Sequence, residues 1–261
     1  MNYYFLFSAR CFFIAMFISQ TIVGSAQTTL IPANVYEWEG APVTDTNLAK
    51  QRIIIEGSTP AFSHLRVHAI TVAPGQDPHP GHTYADEELV IVKEGELTVT
   101  IDEKTETLEA GSVAFIMPEP HSFANLSDKP VTYYVMRYHT LDSETKSKLL
   151  VGQSFVKHWK DLEYKPNDKG GRRNVFDQKT TEAERFEMHI TTLNEGLMSH
   201  PPHTHKAAEI LLLIEGQAEE SIDGRWIPAG VGDVIFLQSK VPHAIRNTGK
   251  GPATYFAFQF E

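Results

Sequence analysis

At 261 residues, with 41% apolar and 10% aromatic residues, the chain is long enough for two ordinary domains, each with a core of its own. Its formal net charge of −10 disfavours non-specific attraction to nucleic acid or to an anionic membrane surface, both of which repel an acidic protein. No long basic run supplies a local exception.

In chain order, the first 26 residues differ from all that follow. Residues 1–10 carry a single positive charge, residues 11–23 are a nearly unbroken apolar stretch, and Gly24, Ser25 and Ala26 are small residues of the kind found at a signal-peptidase cut. The stretch is shorter than the roughly 20 residues that cross a bilayer, and no stop-transfer charges follow it. The expectation is a cleaved secretory signal and a periplasmic or secreted mature protein. Cys11, the only cysteine, lies inside that segment, so the mature chain would lack thiols, disulfides and cysteine metal ligands.

Residues 27–60 read as an N-terminal arm packed across a following domain. Residues 61–140 then hold five short segments rich in β-branched and aromatic residues, at 65–72, 88–92, 96–101, 112–117 and 131–138, separated by Pro, Gly, Asp or Asn. Residues 141–175 read as a connector, helical over 146–156 and polar and glycine-rich over 165–173. Residues 176–261 repeat the strand pattern at 186–193, 209–214, 217–222, 233–237 and 253–260. This spacing predicts an all-β fold, each half an antiparallel sandwich or jelly-roll barrel.

The halves are copies. With residue n set against n+121, Gly75, His79, Pro80, His82, Thr83, Glu88 and Gly95 fall on Gly196, His200, Pro201, His203, Thr204, Glu209 and Gly216. After one insertion, Pro120, His121 and Asn125 fall on Pro242, His243 and Asn247.

The chemistry lies in the second copy. Alternation along a strand points His203 and His205 to one side. With Glu209 and His243 converging from neighbouring strands, they offer three imidazole nitrogens and a carboxylate, a set suited to a divalent ion such as Mn, Fe, Ni, Zn or Cu. Glu209 or the neighbouring His200 is the candidate acid or base, although His200 reads equally well as a surface-loop histidine.

His203-x-His205, Glu209, Gly216, then Gly232, Pro242-His243 and Asn247 resemble the two motifs of the cupin superfamily. The resemblance spans the chain apart from arm and connector. It implies two tandem jelly-roll barrels with a metal held in the second by His203, His205, Glu209 and His243. The first copy keeps His82, Glu88 and His121 but has Tyr84 where the second has His205. His79 swinging in, Tyr84 coordinating as phenolate, and a degenerate site that has lost its metal all remain open there.

Among two-barrel cupins the chain is similar to ureidoglycine aminohydrolase in length, in residues 223–228 and in residues 232–236. That family's ligand order and final lysine differ from His203, His205, Glu209 and Gln259 here. Three classes of function follow: a metal-dependent enzyme acting on a small oxygen-rich substrate such as a polysaccharide-derived sugar or uronate, an aminohydrolase of the kind just named, and a non-catalytic ligand-binding cupin. Gln238, Arg137, His68, His189 and Trp226 are candidate wall residues. The expected partners are a small-molecule substrate and further copies of the chain, with no nucleic acid and, after signal cleavage, no membrane.

Overall fold

The computed structural model describes residues 29–46, 48–140 and 151–261. The expected signal segment and residues 146–150 of the expected connector helix lie outside them.

The regular secondary structure of the described residues is almost all strand. In the first half these are β1 (Asn34–Tyr36), β2 (Val43–Asp45), β3 (Ala49–Gly57), β4 (His64–Val72), β5 (Glu87–Glu94), β6 (Glu96–Ile101), β7 (Lys104–Glu109), β8 (Val113–Ile116), β9 (His121–Ala124) and β10 (Val131–His139). After β11 (Phe155–Lys157) come β12 (Lys165–Asn167), β13 (Gly170–Gln178), β14 (Phe186–Leu193), β15 (Ala208–Glu215), β16 (Ala218–Ile222), β17 (Arg225–Ala229), β18 (Val234–Leu237), β19 (His243–Asn247) and β20 (Ala253–Phe260).

Each half is a barrel of two sheets with the same order. The first has β11-β8-β5-β10-β4-β3-β2 facing β7-β6-β9, and the second has β1-β18-β15-β20-β14-β13-β12 facing β17-β16-β19. The equivalence crosses over at the ends. β1, from the N-terminal arm, pairs with β18 of the second barrel, and β11, from the connector, pairs with β8 of the first. The arm is therefore split, with β1 joining one barrel and the β2–β3 hairpin extending the sheet of the other.

The connector corrects one expectation. Residues 151–154 are not helical, 155–157 form a strand, and among the described residues the one helical piece is a 3-10 turn at Trp159–Asp161. The physical reason is tertiary: Phe155 stacks on Phe115 at 5.5 Å and pairs with it in register, a gain that outweighs local helix preference. Residues 165–173, read as the polar, glycine-rich part of the connector, form most of the β12–β13 hairpin.

The central strands are apolar on both faces because both faces are covered. In β5, Leu89 and Ile91 join the cluster that also contains Ile210, Leu212, Phe258 and Phe260 of the second barrel, whereas Val90 and Val92 point into the first barrel's own interior. The barrels thus pack sheet to sheet through an aromatic stack, with Phe62 4.9 Å from Phe260 and 4.5 Å from Tyr138. The motif glycines are steric. Gly95 and Gly216 sit at φ +81° and +79°, and a Cβ there would lie 2.6 and 2.4 Å from the carbonyl oxygens of Pro130 and Pro252.

Candidate metal centre

In the second barrel His203, at the end of the loop preceding β15, is tied to the first residue of β19 by a two-way backbone bridge. His203 N–H donates to His243 O at 3.1 Å and His243 N–H to His203 O at 3.0 Å. This brings their rings to 4.6 Å and leaves His205 4.7 Å from His243. One ring nitrogen from each of His203, His205 and His243 falls within 4.8 Å of the others. Glu209, on β15, completes the set: its Oε2 is 3.1 Å from His205 Nε2 and 3.3 Å from His243 Nε2.

Backbone contacts fix which nitrogen faces the centre. His205 Nδ1 donates to Ala207 O and His243 Nδ1 to Val241 O, each at 2.8 Å, which presents both Nε2 atoms to the site. His243 Nε2 is buried and makes no hydrogen bond, since Glu209 lies near it but off the direction of a donor bond. An orphaned buried nitrogen beside a carboxylate is what a cation between them would satisfy, so these residues fit a divalent metal.

The electrostatics agree. Burial alone would raise the Glu209 carboxyl, but the hydrogen bond from His205 and the proximity of His243 outweigh it and hold it down at about 2. Burial, then the neighbouring imidazoles, lowers His203, whereas the hydrogen bond to Glu209 raises His205. A proton shared by His205 and Glu209 therefore competes with any metal for this position.

Beside the four residues lies a cavity of about 500 Å³, lined by His189, His200, Glu209, Glu220, Tyr255 and Gln259 among others. His200 is brought to the site: its ring stands 4.0 Å from that of His203, on the cavity wall. His189 is the one of the five candidate wall residues that lines this cavity, and its Nδ1 lies 2.9 Å from Glu187. Gln238 instead donates to Ile31 O at 2.6 Å, and Trp226 lies under the Arg246 guanidinium at 4.1 Å. His68 and Arg137 belong to the first barrel.

There the structure brings together His82, Glu88 and His121, with His121 Nε2 2.8 Å from Glu88 Oε2. Tyr84 packs its ring 4.1 Å from that of His82, and His79 packs edge-on to His82 at 4.4 Å. Arg137 takes up the centre's charge. Its Nε is 3.3 Å from Glu88 Oε1, its Nη2 is 2.8 Å from Asp86 Oδ2, and its guanidinium lies 3.5 Å over the Tyr84 ring. The second barrel has Gln259 at the equivalent position, with Nε2 3.4 Å from Glu209 Oε1. In the first interior Ile70, Val90, Val99, Phe123, Tyr133 and Val135 form an apolar core, whereas their counterparts Thr191, Leu211, Glu220, Ile245, Tyr255 and Ala257 line the cavity.

Sequence reasoning missed Arg137 as an internal cation and Glu220 altogether. The repeat register held the signal for both, since it sets Arg137 against Gln259 and Val99 against Glu220.

A family model described as Cupin domain matches residues 68–137 and 189–258. Among solved structures, protein YlbA from E. coli is 16% identical, with 91% of this chain and 95% of that one covered at a TM-score of 0.67. AerE from Microcystis aeruginosa is 14% identical, with 87% and 98% covered at 0.67. The formate complex of Lactobacillus farciminis oxalate decarboxylase is 17% identical, with 86% and 85% covered at 0.67. At these identities the likeness is one of fold. No curated protein matches the sequence.

Proposed function

This chain belongs to the cupin family, with two cupin domains in tandem, and from that premise we propose that its second barrel is a metal-dependent enzyme site for a small oxygen-rich compound. The substrate class is a polysaccharide-derived sugar or uronate, and the reaction is of isomerase, lyase or hydrolase type. What carries the reading is the convergence of His203, His205, His243 and Glu209 at the wall of an open cavity of about 500 Å³, within the range of ordinary small-molecule sites.

Mn, Fe, Zn or Ni would be held by those four residues and would supply Lewis acidity to a carbonyl or hydroxyl oxygen. The remaining work falls to the chain's own groups. Gln259 keeps the Glu209 carboxylate in place, and the Ala207 and Val241 carbonyls orient two of the imidazoles. His200, lowered by burial, is neutral and able to accept a proton at the cavity wall. One structural neighbour is an oxalate decarboxylase in complex with formate, which supports a small carboxylate-bearing substrate. The aminohydrolase reading is weaker because Gln259 stands where that reading needs a lysine. The apolar stretch at 11–23 and the small residues after it support export to the periplasm or beyond.

The deciding experiment is elemental mass spectrometry on protein purified without chelator or affinity nickel, followed by a screen of uronates and sugar acids with the metal found. About one equivalent per chain, lost on His205→Ala, is the expected result. No metal after reconstitution would sink the enzyme reading and leave a cupin that binds a ligand without catalysis.

A further inference from the structure

Glu220 is the most heavily buried ionisable group in the second barrel, with no exposed surface, and neither of its carboxyl oxygens completes a hydrogen bond. The Ala244 N–H is near enough to favour the ionised form slightly, but not aligned to bond it. A buried carboxyl without partners costs several kcal/mol as an anion and less as a neutral acid.

Its direction follows from the register. Paired residues in an antiparallel ladder point to one face, and β16 pairs Ile222 with His243 and Glu220 with Ile245. His243 faces the metal centre, so Glu220, two residues along, faces the same interior, roughly 7 Å further along the strand. It lines the cavity together with His203, Glu209 and His243, while its spacing from His243 keeps it apart from the four ligands. The repeat sharpens the point. The equivalent residue in the first barrel is Val99, buried in an apolar core, so the carboxyl occurs in the copy with the complete ligand set.

The geometry points to Glu220 as a further catalytic residue of this site: a carboxyl behind the cavity wall that turns out to meet a bound small molecule and donates its proton to an oxygen of it. In that step the Glu220 O–H bond breaks as the substrate O–H bond forms, leaving a Glu220 carboxylate that regains its proton when the transfer reverses or, once product has left with it, from water entering the cavity. Burial, then the charge of Glu209, pushes the Glu220 carboxyl well above the ordinary carboxylate range, the direction a proton donor needs. The ligand class is a small hydroxy acid or uronate, whose oxygens accept such a bond.

This rests on the metal-dependent reading above, and three measurements on the full chain tell the two failures apart. Infrared spectra at neutral pH should show a protonated-carboxyl C=O band in wild type that Glu220→Gln removes. Metal content should be unchanged in Glu220→Gln and Glu220→Ala. With glycolate as the probe on metal-loaded protein, Glu220→Ala should weaken binding about tenfold, the value of one lost hydrogen bond to a charged ligand, and Glu220→Gln, which keeps a donor, should bind within a few-fold of wild type. No protonated band, unchanged or absent glycolate binding, tighter binding in either variant, or metal lost on Glu220→Gln would each overturn the assignment of Glu220. Absence of metal from wild type with the band intact would instead overturn the metal-dependent reading.

Discussion

Within two residues of one strand, Arg66 and His68 against Glu187 and His189, the two barrels have taken opposite electrostatic characters. His68 is buried, and burial first, then the charges of Arg66 and Arg137, pulls its imidazole down to about 3. His189, by contrast, has Glu187 beside it. A histidine whose folded value lies below its ordinary 6.5 leaves stability intact above that pH and drains it as pH falls toward 3, because the unfolded chain takes up the proton first. His68→Leu should therefore flatten the acid side of the urea-midpoint against pH curve between about 6.5 and 3. A variant curve parallel to wild type throughout that window would contradict it.

The same scale decides the first metal set. Its three ligand types survive, but Arg137 already neutralises Glu88 and Tyr84 fills the place of the fourth ligand. Replacing both, as Tyr84→His with Arg137→Gln, recreates the second barrel's residues and should raise bound metal from about one equivalent to about two by elemental analysis. Metal unchanged in the double variant would mean that the apolar surroundings, not the resident guanidinium, exclude it. Much of this was legible in the repeat register, which set Tyr84 against His205. What the sequence could not show is that Arg137 folds back over Tyr84, because its partner Asp86 lies 51 residues away and the pairing depends on the β5–β10 register.

At the level of elements, strand alternation made most of the fold readable: the segments at 65–72, 131–138, 186–193 and 253–260 appear as β4, β10, β14 and β20 with shifts of at most one residue. Two of the missed strands carry little apolar signal, whereas β3, with Ile53, Ile54 and Ile55, lay unread within the N-terminal arm. β7 is exposed on four of its six residues, and β2 on all three. Such strands exist because a neighbour supplies hydrogen bonds rather than because they bury surface. β1 and β11 are short pieces whose partners lie far away in sequence, so nothing local announces them. Alternation also explains the hollow interior, since inward positions on β14, β16 and β20 carry Thr191, Glu220 and Ala257 where β4, β6 and β10 carry Ile70, Val99 and Val135. Ala257→Val should begin to refill that space, leaving metal content unchanged but weakening glycolate binding about tenfold, in line with the 1–3 kcal/mol cost of crowding a packed site. Equal binding in calorimetry would show that the ligand does not reach this wall.

The whole molecule is tied together twice, by the aromatic layer between the sheets and by the crossed strands β1 and β11. β1 lies at the start of the described chain yet completes the sheet of the second barrel, where the Trp38 N–H just beyond it donates to Asp233 at 2.7 Å. Neither barrel has its full set of strands without a segment from beyond its own half, and Phe260 is buried against Phe62 of the other barrel. Both features predict one cooperative unfolding transition rather than two. Phe260→Ala opens a cavity in the shared layer and should cost about 3–5 kcal/mol of global stability, read as a lower urea midpoint with an unchanged slope. The test is to follow tryptophan fluorescence, from Trp38 in the turn after β1, Trp159 in the 3-10 turn after β11 and Trp226 on β17, alongside circular dichroism. Coincident transitions that shift together in Phe260→Ala support a single folding unit. A first barrel that keeps its wild-type midpoint while the second melts early would show that the layer joins two independent domains, and the crossed strands would then have to be read as edge cover rather than as the link between them.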